Sequence, residues 1–490
     1  MFSFFGKFMI EQFRVAQKLG LMFRSDTPLP DDIKSWATSQ LKANSPALGI
    51  NKVGGKVQSW PRALQPNLEK RAEMWRIYRA NRDKERKQID GQETRAAKRA
   101  NELKNLMGEK DELKFAHRNV YGQDQLRLRF TNFWTNHFTM GNIHDNQNVI
   151  GHAIDKAILA NLNSSFSEML YKITSHPAML IYLDNIWSSG ENSKEARDAR
   201  RDGFQAGLND NLGRELLELH SVSPAAKYKE TDVRNSANVL AGWGVELDKP
   251  LDWMRDVAHT TNHWDVYKEH WAEPGNKFVL GQTIYAGKGG LRQLTDFLAM
   301  HENTIMFISK KLTQHFVSDE PSKSDINYIA KAWRKSDGNL DQIHTAVIER
   351  AIMSKEPKFQ WPMTWLFQIV RLSNATFFKG WEELYIYDDM LMENPKIFIE
   401  LGQGFWHSRQ PDGYSSDKNE WLSGEMFERR IRFADAIYRA ANPKVLSAEI
   451  MDRIGANEAT RRLVEKAGKY ENAKFIALMC SPELMGLENA

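Results

Sequence analysis

The chain has 490 residues, of which 41% are hydrophobic and 11% aromatic, enough apolar side chains for a packed core. Its 67 basic and 63 acidic residues nearly cancel, which argues against a strongly basic nucleic-acid-binding protein. The single cysteine, Cys480, excludes an internal disulfide and any metal site built from several thiolates. No apolar run approaches the roughly 20 residues of a membrane-spanning helix, so no such span is expected.

The first segment, residues 1–30, is predicted to hold an amphipathic helix followed by a loop. Phe5, Met9 and Phe13 recur near helical spacing, while charged residues such as Lys18 interrupt the apolar run. A cleavable export signal needs an uninterrupted apolar stretch and a small-residue cleavage site, and neither is evident. We expect this helix to contact its own protein rather than a membrane or a partner.

A strongly charged stretch occupies residues 68–114, where apolar side chains such as Met74 and Leu103 are sparse. The pattern indicates one or two exposed helices, with Gly91 as a candidate break. Acidic residues are interspersed with the basic ones, which favours a solvated helical face over a surface for nucleic acid.

Helical periodicity dominates the rest of the chain. Residues such as Leu126, Phe130 and Phe133 recur at three- and four-residue spacing, as a helix facing a core requires. One short strand is predicted at 278–284. The sequence therefore predicts a mostly α fold: one large, bundle-like helical domain over 31–485, with a short tail at 486–490. Long ordered loops are expected at 186–208, 244–290 and 402–424.

Several short strings are more specific than periodicity. They are Phe-Trp-Thr-Asn-His-Phe at 133–138, His-Pro-Ala-Met-Leu at 176–180, Tyr-Leu-Asp-Asn at 182–185, Leu-Asn-Asp-Asn-Leu-Gly-Arg-Glu-Leu-Leu-Glu-Leu-His at 208–220 and Ala-Gly-Trp at 241–243. In this order they resemble the bacterial domain-of-unknown-function 1800 family, and the resemblance covers roughly residues 30–485.

The resemblance implies an all-α protein that is usually exported to the periplasm or cell surface. It also implies a partner, because the gene often lies beside one for a second uncharacterised family similar to alkaline phosphatases and sulfatases. The chain departs from the family pattern at Asp210, where Glu is usual, and at Gly213, where Ala is usual. The absence of an evident export signal leaves a cytoplasmic location open.

The string around Arg214 carries two carboxylates on one helix face, because Glu215 and Glu218 are three residues apart. Three roles are open for them. Arg214 is four residues before Glu218 and can pair with it in a structural ion network, which would offset the cost of burying charge. Alternatively, the carboxylates form an acid–base or metal-binding pair, or they bind a ligand without chemistry.

The second candidate element centres on His137. A histidine among aromatic residues is commonly a core residue, but the adjacent Asn136 can orient an imidazole for general-base work or metal binding. His144 and Asp145 follow closely and would converge on His137 if the chain folds back.

The sequence therefore predicts catalytic roles for His137, Arg214, Glu215 and Glu218. His137, Glu215 and Glu218 are also the candidate ligands of a divalent metal, although the identity of any cofactor stays open. The helix carries Glu-x-x-Glu rather than Glu-x-x-His, which argues against a di-iron centre.

A third element is the histidine- and tryptophan-rich segment at 259–277. His270 and Lys277 fit the family pattern best, and with Trp243 they are the candidate substrate-binding or lid residues. The alternatives are an exposed aromatic loop without function and a carbohydrate platform. The tryptophans of such a platform are Trp264, Trp271, Trp406 and Trp421.

Three other histidines are expected at helix ends. His176 precedes a proline, His301 stands where a helix can begin, and His220 ends the Glu-rich helix, where the helix dipole favours a positive charge.

Two hypotheses of function remain. The first is an enzyme with a buried His and carboxylate site that acts on an envelope or polymer substrate. The second is a non-catalytic assembly protein for the phosphatase-like neighbour, in which the same polar residues are structural. No nucleotide-binding loop, Gly-x-Ser-x-Gly elbow or His-Glu-x-x-His helix is present to narrow the reaction class.

Overall fold

Helices form nearly all of the regular secondary structure, as the sequence predicts. A computed structural model describes residues 2–24, 30–42, 50–53, 56–59, 67–68, 70–71, 95–143, 146–245, 267–375, 396–408, 410–441 and 445–487. Within these residues the fold is mostly α, with two short hairpins.

The helices are numbered in chain order. The first ten are α1 (Phe2–Leu19), α2 (Ile33–Lys42), α3 (Arg95–Tyr121), α4 (Gln125–His137), α5 (Gln147–Ala153), α6 (Phe166–Thr174), α7 (Pro177–Tyr182), α8 (Lys194–Arg201), α9 (Asn211–Glu218) and α10 (Glu230–Leu240). A π-helical turn at Ile154–Ile158 extends α5.

The second half continues with α11 (Gly289–Met300), α12 (Glu302–Phe316), α13 (Lys323–Lys335), α14 (Leu340–Met353), α15 (Pro362–Leu372), α16 (Lys396–Glu400), α17 (Gly424–Ala441), α18 (Ser447–Ile454), α19 (Glu458–Lys466), α20 (Glu471–Met479) and α21 (Pro482–Met485). Side-chain caps begin many of these helices. For example, Ser322 accepts a hydrogen bond from the backbone N–H of Asp325 and begins α13.

Two antiparallel hairpins complete the described secondary structure. Strand β1 (Ile50–Val53) pairs with β2 (Lys56–Ser59), and β3 (Lys277–Val279) pairs with β4 (Gln282–Ile284). The prediction of one continuous strand over 278–284 was therefore wrong, because these residues belong to two short strands joined by a turn. Leu280 and Gly281 both adopt positive φ, at 50° and 85°, and this backbone geometry turns the chain into a hairpin.

The predicted loops also need correction. Residues 186–208 contain α8, which begins because the Ser193 side chain accepts a hydrogen bond from the backbone of Ala196. Part of the expected loop at 244–290, residues 246–266, lies outside the described residues. The remainder includes the second hairpin.

The second half of α1 is buried within the protein. Val15, Ala16 and Leu19 are fully buried, and α1 contacts α2, α14 and α18. The prediction that this helix contacts its own protein is confirmed for these residues. Among the described residues, no helix combines the length and apolarity that crossing a membrane would take.

The charged stretch at 68–114 is not uniformly solvated. Asp111 and Lys114, on α3, are 1% and 2% exposed, as is Arg71 at 1%. Arg71 donates two hydrogen bonds to Asp111, and Lys114 reaches Asp155 at 2.6 Å. The prediction of an exposed face was wrong here, because these charges neutralise one another inside the fold.

Three remote parts of the chain meet beside α4. Phe133 on α4 contacts the ring of His315 on α12, with centroids 5.3 Å apart. The Asn136 side chain forms two hydrogen bonds with the backbone of Tyr414, at 2.9 and 3.0 Å. Residues 402–420 are therefore held against the carboxyl end of α4, and a cavity lies between them and α12.

Candidate functional site

The cavity between α4, α12 and the 402–420 segment has a volume of about 600 Å³ and is open to solvent. This size is typical of pockets for small molecules or chain ends. The residues that line it include His137, Lys311, His315, Trp361, His407, Ser408, Gln410, Asp412, Tyr414, Ser415 and Glu420. Its lining combines aromatic rings with many polar groups and a single lysine.

The imidazole of His137 has a defined hydrogen-bonding state. Its Nε2 lies 3.2 Å from the carbonyl oxygen of His220, which only accepts, so Nε2 carries the proton and donates. The Nδ1 atom therefore accepts from the Lys311 Nζ at 3.0 Å. Burial, followed by the nearby Lys311, lowers the pKa of His137 well below its ordinary value, so the ring is neutral. Asn136 does not orient this ring, contrary to expectation, because its amide holds Tyr414 instead.

Lys311 presents its amine to the cavity. Burial lowers the pKa of Lys311 to about 8, although the opposite charge of Asp412 acts to raise it. None of the described carboxylates forms an ion pair with its Nζ, whereas Lys114 and Lys358 pair with Asp155 and Asp319. Lys311 is therefore a half-buried amine with a neutral hydrogen-bond partner.

Glu215 is connected with the same site by its electrostatic interaction with Asp412. Burial, then the neighbouring Glu218, then Asp412 raise the pKa of Glu215 to about 7, against a lowering by Arg214. Burial, Glu215 and Asp412 also raise the pKa of Tyr182 to about 12. Because the charge of Asp412 acts on both Glu215 and Lys311, the structure brings the predicted carboxylate into electrostatic reach of the cavity.

A smaller cavity of about 50 Å³ adjoins the first behind His315. His315, Trp361 and Tyr414 line both cavities. The Nε2 of His315 and the Oγ1 of Thr135 are buried and form no hydrogen bond with any described residue. The inner cavity therefore has polar atoms that a small group entering from the larger cavity can satisfy.

The expected pairing of Arg214 with Glu218 was wrong. Arg214 pairs with two exposed carboxylates, that of Asp210 at 3.1 Å and that of Glu230, at the start of α10, at 2.6 Å. Glu218 instead accepts a hydrogen bond from the hydroxyl of Tyr228 at 2.7 Å. Arg214 is therefore not among the residues that line the cavity, and it forms ion pairs at the surface.

The predicted metal set is not assembled. Among the residues that the structure describes, no group of three or more His, Cys, Asp or Glu side chains is arranged to hold a metal ion. Both ring nitrogens of His137 are already engaged, by His220 and Lys311. His144 and Asp145, the other candidates near His137, lie outside the described residues.

The three candidate lid residues do not line the cavity. The Lys277 Nζ donates to the backbone carbonyls of Glu273 and Gly275, which fixes its own loop. His270 is exposed in a 3₁₀ turn, and Trp243 is completely buried in the core. The structure therefore assigns Lys277 and Trp243 contacts that stabilise the fold.

The tryptophans of the expected carbohydrate platform do not form one exposed surface. Trp406 and Trp421 are each only 7% exposed, so their faces are covered by protein. The ammonium of Lys268 lies 4.2 Å from the ring centroid of Trp271. Trp264 lies outside the described residues.

The helix-end histidines follow the sequence predictions in part. His176 and His301 accept hydrogen bonds from backbone N–H groups and cap α7 and α12, as predicted. His220 follows α9, but burial lowers its pKa to about 3. The prediction of a positive charge there was wrong, because desolvation outweighs the helix dipole.

Sequence reasoning did not identify Lys311, His315 or Asp412 as site residues. Lys311 follows the exposed Lys310, and a pair of lysines on an amphipathic helix has no distinguishing pattern. Asp412 lies in an irregular segment, where periodicity gives no information. Only the spatial contact with His137 identifies Lys311.

A comparison with families of known proteins identifies this chain. The family model described as "Protein of unknown function (DUF1800)" matches residues 26–485. No curated protein and no solved structure matches the chain. The matched residues extend over nearly the whole chain and confirm the resemblance found in its short strings. The chain therefore belongs to the DUF1800 family.

Proposed function

We propose that this protein is an enzyme whose active site is the 600 Å³ cavity around Lys311 and His137. The substrate we propose is a polar envelope or polymer component, because an open cavity can admit the end or a side group of a longer molecule. One observation carries the proposal: a lysine amine faces this cavity and is hydrogen-bonded to a neutral histidine rather than to a carboxylate.

The arrangement supports proton transfer and nucleophilic attack. A lysine with a pKa of about 8 has an appreciable fraction of free amine near neutral pH, and free amine is the reactive form. His137 Nδ1 accepts the N–H of Lys311, so it is positioned to take up a proton from that nitrogen. Glu215, with a pKa of about 7, exchanges protons in the same pH range.

Competitive labelling of the wild-type protein tests the reactive amine. A limiting amount of acetic anhydride is added at several pH values, and acetylation of each lysine is measured by mass spectrometry. Lys311 is expected to reach half of its maximal reactivity near pH 8. Exposed Lys310, the preceding residue, is the internal reference. The proposal would be contradicted if the reactivity of Lys311 equalled that of Lys310 at every pH.

Turnover provides the second part of the test. A panel of envelope polysaccharides, peptides and esters is screened with wild type, Lys311→Met and the matched control Lys310→Met. Any activity found should disappear in Lys311→Met and persist in Lys310→Met, with thermal unfolding showing that both variants fold. Methionine fills similar volume without burying an amine, so Lys311→Met is expected to remain stable.

A second candidate function is an assembly partner for a phosphatase- or sulfatase-like protein. The observation that favours it is a pair of exposed aromatic side chains, Trp187 at 56% and Phe204 at 72%. Their segments are joined by a backbone hydrogen bond from Ser189 to Gly207. This alternative predicts co-purification with that neighbour and full function of Lys311→Met.

A further inference from the structure

We infer that Lys311 captures a hydroxylated aldehyde or ketone in the cavity as an imine. The inference rests on the proposed active site and specifies its substrate class. It goes beyond proton transfer, because it assigns a covalent bond between the protein and the carbonyl carbon of the ligand.

The first argument is the setting of the amine. Lys311 is the only lysine among the described residues that line the large cavity. Buried Lys114 and Lys358 are each paired with a carboxylate. In the described part of the chain, Lys18 is also buried and bonds only to Ser354, at 3.1 and 3.2 Å, but it does not line the cavity. Among the lysines that the structure describes, only Lys311 combines access to this cavity with the absence of an ion pair.

The second argument is the neighbouring base. Because Nε2 of His137 is held by the carbonyl of His220, the Nδ1 lone pair faces the Lys311 nitrogen. Imine formation requires that the nitrogen lose two protons and that the carbonyl oxygen gain two. A fixed acceptor 3.0 Å from the nitrogen is positioned to relay them.

The third argument is the character of the lining. Two acidic residues, Asp412 and Glu420, line the same cavity as Lys311, so the cavity does not favour a polyanion. Ser408 and Gln410 add polar groups suited to hydroxyls. A neutral carbonyl compound with hydroxyl groups fits this lining better than an anionic or purely apolar ligand.

The covalent step balances without an oxidant or reductant. The lone pair of the neutral Lys311 amine forms a bond to the carbonyl carbon while the carbonyl π electrons move to oxygen, and one proton passes from the nitrogen to that oxygen by way of His137 Nδ1 to give a carbinolamine. The second nitrogen proton then passes to the hydroxyl group by the same route, the nitrogen lone pair forms the second bond to carbon, the carbon–oxygen bond breaks, and one water leaves. The product is a carbon–nitrogen double bond, and addition of water reverses the sequence.

Reductive trapping on the wild-type protein tests the inference. The full chain is incubated at pH 7 with glycolaldehyde and sodium cyanoborohydride, which reduces an imine to a stable secondary amine. Peptide mass spectrometry then locates the adduct. Lys311 is expected to be labelled on the order of 100-fold faster than an ordinary exposed lysine, since its pKa of about 8 leaves far more free amine.

Two lysines in the same chain provide matched controls. Lys310 is adjacent and exposed, so it reports ordinary surface labelling. Burial lowers the pKa of Lys18 to about 7, but Lys18 is 1% exposed and should stay unlabelled. Equal labelling of Lys310 and Lys311 would overturn the inference. Hexanal in place of glycolaldehyde should trap at least tenfold less, and equal trapping would remove the requirement for hydroxyl groups.

The results also distinguish a failure of this inference from a failure of the proposed function. If acetic anhydride modifies Lys311 near pH 8 but glycolaldehyde leaves no adduct there, the reactive amine stands and the carbonyl substrate is wrong. If neither reagent modifies Lys311 preferentially, both proposals fail.

Discussion

At the scale of single residues, burial determines which groups carry charge in the site. His137, His220 and His315 all have a pKa lowered chiefly by desolvation and are neutral. In contrast, the pKa of Lys311 is lowered to about 8 and that of Glu215 is raised to about 7, so both shift toward neutral pH. The sequence identified Glu215 and His137 as candidates but could not predict their protonation states. These states depend on neighbours that are remote in the chain.

Glu215→Gln is expected to stabilise the protein at alkaline pH. The folded pKa of about 7 exceeds the ordinary value of 4.5, so the folded state binds the proton more tightly than the unfolded state. The stabilisation from this proton is complete below about pH 4.5 and is lost as the pH rises through 7. Glutamine mimics the protonated form at all pH values. The gain should be about 1–2 kcal/mol at pH 8, after allowance for solvent screening, and near zero at pH 5.

Urea unfolding at pH 5 and pH 8 measures this difference directly. Glu449→Gln, on an exposed position of α18, is the control and should change little at either pH. A Glu215→Gln variant that is equally or less stable than wild type at pH 8 would show that the ionised carboxylate does not destabilise the fold there.

At the scale of secondary-structure elements, α3 shows how a charged sequence can be buried. Lys114 and Arg118 both reach Asp155 on the π-helical turn, at 2.6 and 2.9 Å. Composition alone predicted a solvated helix, since a helix with many charges has no clear apolar face. The partner of these charges, Asp155, lies about forty residues away, so no local pattern in 68–114 could reveal it.

Asp155→Asn is expected to destabilise the protein by about 3–5 kcal/mol at pH 7, because it takes the ion-pair partner from buried Arg118 and leaves Lys114 with Asp111 alone. Burial alone would raise the pKa of Asp155, but Lys114 and Arg118 outweigh it and hold the pKa well below 3.8. The contribution of the carboxylate is therefore present above the unfolded pKa and is lost as the pH falls. The difference from wild type should shrink in acid.

Urea unfolding at pH 7 and at pH 3 provides the measurement. The matched control is Asp452→Asn, since Asp452 pairs with Arg461 at 3.0 Å but is 75% exposed. An exposed pair contributes roughly 0–1 kcal/mol, so the control should stay close to wild type. Equal losses in the two variants would argue that the contacts of α3 do not depend on buried ion pairing.

At the scale of the whole molecule, the sequence predicted the fold better than the site. Periodicity and capping residues are local signals, and they correctly indicated a mostly α chain. The cavity depends on contacts between residues such as His137, Lys311 and Asp412, which are separated by more than a hundred positions. No spacing rule connects them, so Lys311 and Asp412 could not be identified from the sequence.

Asn136 is one of the residues that connect these remote parts, and its removal should open the cavity. Its side chain bonds both the N–H and the C=O of Tyr414. Gly413 permits the close approach: its φ is +80°, and a Cβ there would lie 2.5 Å from the backbone oxygen of Asn136. Asn136→Ala removes both hydrogen bonds, which should cost about 1–3 kcal/mol.

Hydrogen exchange followed by mass spectrometry shows which amides lose protection when these hydrogen bonds are removed. In Asn136→Ala the Tyr414 amide should exchange at least tenfold faster, because an opening free energy lower by about 1.4 kcal/mol corresponds to that factor. Amides within α4 and α12 should keep their protection. Asn419→Ala, an exposed change on the same segment, should leave exchange at Tyr414 unaltered. If Tyr414 stays protected in Asn136→Ala, other contacts hold the 402–420 segment, and the cavity does not depend on this link between α4 and the C-terminal part of the chain.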